Sequence, residues 1–374
     1  MRTGGRPVGS GRGRAGGGKA GPGRGPGGAP TAIALSPILS ARYRSRDLER
    51  IRAAAPGARI VTVSVEGLAD GPLDDVEVML RGWLSSEAFD RLLARAPHLA
   101  WVHSATSGVE RAITPAAMER GLVVTNARGV FSRPIAEYVL MMILSVSRRL
   151  PQLLELQRER TWQPLEGAEL RDVTVGIVGL GSIGRAVGAL ATAFGCRVVA
   201  VRRRPDGNTV AADVPGAGNA AASDGDERSF GEVMLDRVGG PETLPELLGE
   251  SDFIVLAAPL TPETQDMIND STLAMVKPGS WLINVARGRL IDEHALLRAL
   301  REGTLGGAVL DTFRDEPLPP TSPFYDLPNV IVTPHTAWSS GRVLDRSVEL
   351  FCDNLRRFAA GEPLLNVVDP AAGY

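Results

Sequence analysis

The stretch from Val173 to Arg204 constrains the fold more than any other part of the chain. It reads V-T-V-G-I-V-G-L-G-S-I-G, continues through an alanine-rich segment, and ends in C-R-V-V-A-V-R-R-R. An apolar, β-branched run leads into Gly179-Leu180-Gly181-Ser182-Ile183-Gly184, a helix follows, and a second strand comes at Val198–Val201. The pattern is a βαβ unit with a glycine-rich turn at its first corner. Gly179 permits the tight turn, Gly181 lets a ligand reach the backbone, and Gly184 lets the helix pack on the strand. The helix start at Ser182 and Ile183, with unpaired N–H groups and partial positive charge, then suits the pyrophosphate of a dinucleotide.

The residue that closes the second strand selects among dinucleotides. An acid there accepts hydrogen bonds from the ribose 2′-OH of NAD, while a basic residue accommodates the 2′-phosphate of NADP. Arg202 stands at that place, followed by Arg203 and Arg204. Taken alone, three arginines at a strand end are a solvated cationic run. Taken with the motif, Arg202 and Arg203 form a 2′-phosphate clamp, because the planar fork of arginine suits bidentate contacts. The expected cofactor is NADP, with NADPH preferred and NAD possible.

With 374 residues the chain is long enough for two domains, each with its own core. No apolar run approaches the roughly 20 residues of a membrane span, so no membrane partner is expected. Two cysteines, Cys196 and Cys352, provide neither a disulfide framework nor a metal-ligand pattern. No metal and a reducing, cytoplasmic setting follow as expectations. Residues 1–30 differ from the rest: thirteen are Gly, six are Arg or Lys, and none is acidic. Such a segment cannot bury enough apolar surface to offset its ordering entropy and reads as a disordered extension. It is either dispensable or a weak polyanion tether. Without its six positive charges the net charge moves from −2 to −8, so the body is acidic and no nucleic-acid partner is expected.

From Thr31 onward, short apolar strands at Ile33–Leu35, Ile60–Val65, Val78–Leu80, Leu99–His103 and Val123–Thr125 alternate with helical stretches such as Ser45–Ala54 and Ser86–Ala96. That alternation predicts a parallel α/β layer ahead of the dinucleotide unit. A helical pattern from Arg133 to Arg160, interrupted only by Pro151, links this layer to the next. Further strands are expected at Phe253–Ala257, Trp281–Asn284, Ala308–Leu310 and Val330–Val332. Pro205–Arg228 lacks periodicity and reads as a mobile surface insertion beside the adenosine site. Gly341–Ala360 is an amphipathic helix expected to return to the first domain. The predicted fold class is α/β, with two Rossmann-like, doubly wound parallel-sheet domains and the active site in the cleft between them. A discontinuous substrate domain spans 31–131 and 341–374, and the dinucleotide domain spans 132–340.

Downstream of the glycine loop come A-A-P-L-T-P-E-T (257–264), I-N-V-A-R-G (283–288), L-D-T-F-R-D-E-P (310–317) and T-P-H-T-A-W (333–338). In that order and spacing the chain resembles the D-isomer-specific 2-hydroxyacid dehydrogenases, over roughly residues 31–368. It departs from the common pattern at Arg202, which replaces the usual acid, at Thr312, where Val is frequent, and at the insertion after residue 204.

The resemblance implies reduction of a small 2-oxo acid such as glyoxylate or hydroxypyruvate. His335 suits proton donation, since imidazole titrates near neutral pH. Glu316 matches the family's acidic partner, which orients the ring and favours its protonated form. Arg287 offers a guanidinium fork for the substrate carboxylate and carbonyl, at the carboxyl edge of a parallel strand. Ala258, Pro259 and Thr264 are expected to flank the adenine and phosphates, and Val285 and Ala286 the nicotinamide ribose. Asp311 either faces the nicotinamide or is a structural turn acid. Thr106, Ser107 and Gly108 resemble the family's backbone cradle for a carboxylate. Arg81 ends another strand on the same edge and narrows the pocket, while Trp83 and Trp338 line it or pack an interface.

A non-enzymatic, dinucleotide-sensing binding protein of the co-repressor kind is the alternative, since such relatives share this fold. The intact Arg287, Glu316 and His335 set favours the enzyme. Ile135, Tyr138, Val139, Met142 and Leu153 on the long helical stretch present more apolar surface than one domain contact needs. They point to a homodimer.

Overall fold

The computed structural model describes residues 27–38, 43–204, 209–211 and 232–370. The first lobe starts with β1 (Ala32–Leu35), α1 (Ser45–Ala54), β2 (Arg59–Thr62), β3 (Val76–Arg81) and α2 (Ser86–Arg95). It continues with β4 (Trp101–Ser104), α3 (Pro115–Glu119) and β5 (Val123–Asn126). The five strands form one parallel sheet in the order β2-β1-β3-β4-β5. Both faces are covered, which is why these strands read as nearly continuous apolar runs.

A helix α4 (Ser132–Ser147) then crosses to the second lobe, and α5 (Leu150–Arg158) follows. The expected single helical stretch is broken at Arg149, which adopts φ 56, whereas Pro151 sits harmlessly in the first turn of α5. The second lobe begins with β6 (Thr174–Val178), α6 (Ser182–Ala193), β7 (Arg197–Val201), β8 (Thr209–Ala211), β9 (Glu232–Met234) and β10 (Arg237–Gly239). It ends with α7 (Leu244–Glu250), β11 (Phe253–Leu256), α8 (Asp270–Leu273), β12 (Trp281–Asn284), α9 (Glu293–Glu302), β13 (Gly307–Leu310) and β14 (Val330–Val332). Seven parallel strands run β10-β7-β6-β11-β12-β13-β14, so the order reverses between β6 and β11. Open sheets of this kind bind ligands at that reversal, beyond the carboxyl ends of the strands.

Three sequence expectations change at the margins. Within the aperiodic insertion, Pro205–Arg228, residues 209–211 form β8, which pairs antiparallel with β9 beyond its end, and 205–208 and 212–228 lie outside the described residues. The Gly/Arg-rich start lies outside them up to residue 26, yet Gly28 N–H donates to Ala359 O at 2.7 Å, so the ordered body begins before Thr31. The apolar residues expected at a dimer face are largely core. Ile135, Tyr138, Val139 and Met142 are buried against α6, and of the five only Leu153 is exposed. A helix face covered by the same chain and one covered by a second copy carry the same apolar signature.

The last helix, α10 (Val343–Ala360), returns to the first lobe. Its Phe351, Leu355 and Phe358 join Ile33, Leu35 and Trp101 in one buried cluster, with the Trp101 ring 5.5 Å from both phenylalanine rings. Val343 and Leu350 face the cluster around α4 and α6, so α10 touches both lobes. After it, Asn126 N–H donates to Asn366 O at 3.1 Å and Val368 N–H to Val124 O at 2.9 Å, which extends the edge of β5. Among the described residues no helix is long and apolar enough to cross a membrane.

His103 lies at the centre of this packing, fully buried on β4 beside Phe351, with Nδ1 2.8 Å from Thr125 Oγ1. Burial pushes its pKa down to about 3. The folded state therefore refuses a proton that the unfolded chain accepts below pH ~6.5. Stability contributed by neutral His103 is complete at higher pH and is lost as pH falls, by about 2 kcal/mol between pH 7 and 5. Urea unfolding at both pH values should show that decline in the wild type and a smaller one, by about that amount, in His103→Leu. Equal declines would contradict the assignment.

Candidate active site

The carboxyl edges of both sheets meet at Arg287. This residue follows β12, where Asn284, itself fully buried, shapes the turn: Ala286 N–H donates to Asn284 Oδ1 at 3.1 Å, and Asn284 Nδ2 donates to Arg287 O at 2.9 Å. Arg287 Nη1 donates to Ala286 O at 2.8 Å, and Nε donates across the cleft to Glu110 Oε1 at 3.1 Å. Against the upward pull of desolvation, the Arg287 charge and hydrogen bonds from backbone and Arg287 hold the Glu110 carboxyl below its usual range. Val285 and Ala286 are buried at the strand end.

The loop after β4 faces the guanidinium. A Cβ at Gly108 would lie 1.8 Å from Arg287 Nη2, so a side chain there would displace the end of the arginine. Thr106 O accepts from Ala127 N–H at 3.2 Å and Ser107 O from Asn126 Nδ2 at 3.0 Å. In a trans peptide the next N–H points the opposite way. These carbonyl bonds therefore direct the N–H groups of Ser107 and Gly108 away from β5, in the sense an anion cradle needs.

Arg81 behaves differently from the sequence expectation. Its side chain is 3% exposed, Nη2 donates to Leu84 O at 2.7 Å, and the guanidinium lies 5.2 Å from the Phe89 ring centroid. Burial lowers its pKa to about 10. Strand alternation explains the turn inward: Arg81 shares its face of β3 with Met79, which packs with Phe89 of α2. Arg81 therefore braces the 82–85 loop, with its guanidinium withdrawn from solvent.

The third part of the site is the turn after β14. His335 Nδ1 lies 2.7 Å from Glu316 Oε2, and Phe313 N–H donates to Glu316 Oε1 at 3.0 Å. Burial raises the Glu316 carboxyl, but the His335 hydrogen bond, the Phe313 N–H and the charges of His335 and Arg287 outweigh it and hold it below its usual range. An ionised carboxylate only accepts, so His335 Nδ1 carries a proton and Nε2 is left to exchange one. His335 itself adopts φ 49, an uncommon conformation for a residue with a side chain.

Asp311 holds that conformation. It is 1% exposed and accepts from Thr333 Oγ1 at 2.5 Å, Thr336 N–H at 2.8 Å and Ala337 N–H at 2.9 Å. Both carboxylate oxygens are directed to the His335 turn, a structural role for this acid at the strand end. Trp338 Nε1 donates to His335 O at 2.7 Å, which likewise ties Trp338 to this turn. Trp83 is 54% exposed.

The glycine loop fits a dinucleotide. Gly179 has φ +100, and a Cβ there would lie 2.5 Å from Ala258 N, so strand ends β6 and β11 are drawn together. A Cβ at Gly184 would meet Gly179 O at 2.2 Å, whereas one at Gly181 would meet nothing within 4 Å. The open side of Gly181 adjoins the start of α6, where no side chain caps Ser182, Ile183 or Gly184. Those amides suit a pyrophosphate. Arg202 follows β7 and is half-buried, and Arg203 is exposed and close enough to act on the Glu263 carboxyl. Thr264 closes the 259–264 turn by donating to Pro259 O at 2.8 Å, beside buried Ala258.

Residues that sequence reasoning passed over are Glu110, Asn126, Asn284 and Thr333. Asn284 and Thr333 lay inside quoted motifs, but their role is to hold backbone, which residue type alone does not reveal.

Residues 140–222 and 229–337 match the family model described as D-isomer specific 2-hydroxyacid dehydrogenase, NAD binding domain. The glyoxylate reductase of Thermofilum pendens is 34% identical over 275 residues, covering 71% of this chain and 74% of that protein. That of Korarchaeum cryptofilum is 32% identical over 305 residues, covering 79% and 82%. Among solved structures, a D-isomer specific 2-hydroxyacid dehydrogenase from Xanthobacter autotrophicus Py2, in complex with NADPH and MES, superposes with a TM-score of 0.76 at 30% identity. The match covers 92% of this chain and 100% of that one. The NADPH-dependent glyoxylate/hydroxypyruvate reductase of Sinorhizobium meliloti, with NADP and sulfate, gives 0.73 at 27% identity over 92% and 100%. With lobes, glycine loop and relatives in agreement, the chain belongs to the D-isomer-specific 2-hydroxyacid dehydrogenases and is an NAD(P)-dependent enzyme of that family.

Proposed function

We propose that this enzyme is an NADPH-preferring reductase of small 2-oxo acids, glyoxylate or hydroxypyruvate, and yields the D-2-hydroxy acid. The observation that carries the reading is the 2.7 Å pairing of His335 with an ionised Glu316 that also feels the charge of Arg287. A nicotinamide cofactor, when bound, supplies the hydride. Arg287 holds the substrate carboxylate and polarises its ketone, with the Ser107 and Gly108 amides opposite. His335 delivers a proton from Nε2 to the ketone oxygen, and Glu316 keeps the ring in the tautomer and orientation that allow it. Small acids suit the site because Arg287 is bounded by Gly108 and Glu110 on the facing lobe.

Cofactor preference rests on Arg202 at the end of β7, supported by the NADPH and NADP bound to the Xanthobacter and Sinorhizobium proteins. Each charge-assisted contact to a 2′-phosphate is worth about 1.5–3 kcal/mol, hence roughly tenfold or more in kcat/KM. Measured by NADPH or NADH consumption with glyoxylate and hydroxypyruvate, the wild type should favour NADPH and Arg202→Asp should reverse or erase the preference. Equal kcat/KM with both cofactors in the wild type would contradict it.

A homodimer is part of the same proposal, with Leu153 kept from the sequence reading and exposed neighbours in place of the buried four. Met141, Leu150, Leu153 and Leu154 are 40–50% exposed along α4 and α5, and Trp162 on the following extended segment is 99% exposed. So much exposed apolar surface on adjoining segments suits a second copy. Buried Cys196 and Cys352, both free thiols, agree with a reducing, cytoplasmic setting. Light scattering should return twice the 39.6 kDa chain mass, and a monomer mass at working concentration rules the dimer out.

A further inference from the structure

The turn that carries His335 lies where the chain passes between the lobes. One crossing runs from β5 through Phe131 into α4, and the other runs from the turn at 333–337 into α10. Phe131, just before α4, and Tyr138, seven residues on, lie on one side of the helix; Tyr138 touches that turn and Phe131 the Trp338 that follows it. Phe131 meets Trp338 edge-to-face with ring centroids 6.5 Å apart, and Trp338 Nε1 donates to His335 O. Tyr138 Oη lies 2.6 Å from Thr333 Oγ1. Thr333 Oγ1 in turn donates to Asp311 Oδ1, and a threonine hydroxyl has one proton to give. At the Tyr138–Thr333 contact the tyrosine must therefore be the donor.

We propose that Tyr138 is a positioning residue for His335: its O–H, relayed through Thr333 to Asp311, fixes the catalytic turn and ties it to the helix that joins the lobes. Hydrogen bonds in such a chain polarise and strengthen one another in a dry interior. Tyr138 is 8% exposed, and burial pushes its hydroxyl up to about 12, so the donor keeps its proton throughout the working range. Asp311 accepts from three groups of residues 333–337, and the relay sets the direction of the Thr333 bond. What is held is the left-handed backbone of His335, which persists only where its surroundings determine it. The inference rests on the reading of His335 as proton donor.

Tyr138→Phe keeps the ring in place and removes only the donor. In the full-length enzyme with NADPH and glyoxylate, kcat should fall about tenfold, as for one lost hydrogen bond behind a catalytic group. KM for glyoxylate and the Kd for NADPH, read by fluorescence, should stay within about twofold. Thr333→Val should behave alike, and Thr333→Ser, which keeps the hydroxyl, should restore turnover. In a His335→Ala background Tyr138→Phe should add nothing, because the group it positions is gone. Wild-type kcat in Tyr138→Phe, a loss seen in KM or NADPH affinity in place of kcat, or a further loss on top of His335→Ala would overturn the proposal. Near-normal turnover of His335→Ala itself would instead remove the proton-donor reading beneath it.

Discussion

Asp311 sits almost completely out of water at the end of β13, and its carboxylate accepts from one turn: the Thr333 hydroxyl and the N–H groups of Thr336 and Ala337. A buried carboxylate is costly unless its oxygens are hydrogen-bonded, so turn and carboxylate stabilise each other or neither stands. The rest of the site depends on that contact. It fixes His335 within reach of Glu316, and Glu316 is itself fixed by the Phe313 N–H two residues beyond Asp311. Imidazole, carboxylate partner and anchor thus arise from two short segments, 311–316 and 333–337, at the ends of neighbouring strands β13 and β14.

The proposed substrate side is built on the same principle from both lobes. Asn284 and Asn126, on different sheets, each bind backbone near their own strand end, and the two shaped loops then meet at Arg287 and Gly108. The guanidinium fork and the amide cradle are therefore complementary without either lobe supplying a complete site. Such an arrangement makes the geometry of the proposed site depend on the crossings between lobes. Phe131, Tyr138, Ala337, Val343 and Leu350 form one continuous apolar cluster around those crossings.

Much of this was legible in the sequence, for physical reasons that differ by residue. The strands of both sheets are buried on two faces, so their apolar runs are dense and their positions emerge within a few residues. Gly179 and Gly184 are dictated by backbone contacts at 2.5 and 2.2 Å, which no other residue type tolerates, and so carry information by identity alone. Arg81 is visible as a strand end, whereas its inward direction misled, since it emerges only from alternation with Met79. The apolar residues of α4 misled more deeply, since Ile135 and Met142 look the same whether α6 or another molecule covers them. Glu110 was hidden because its partner Arg287 lies 177 positions away, on the other lobe.

The proposed chemistry turns on one imidazole. Single-turnover reduction of glyoxylate, followed by loss of NADPH absorbance, tests it directly in His335→Ala. The rate should fall by about 10²–10⁴ while NADPH still binds, because the glycine loop and Arg202 are untouched and only the proton donor is missing. A His335→Ala enzyme that reduces glyoxylate at close to the wild-type rate would contradict the account.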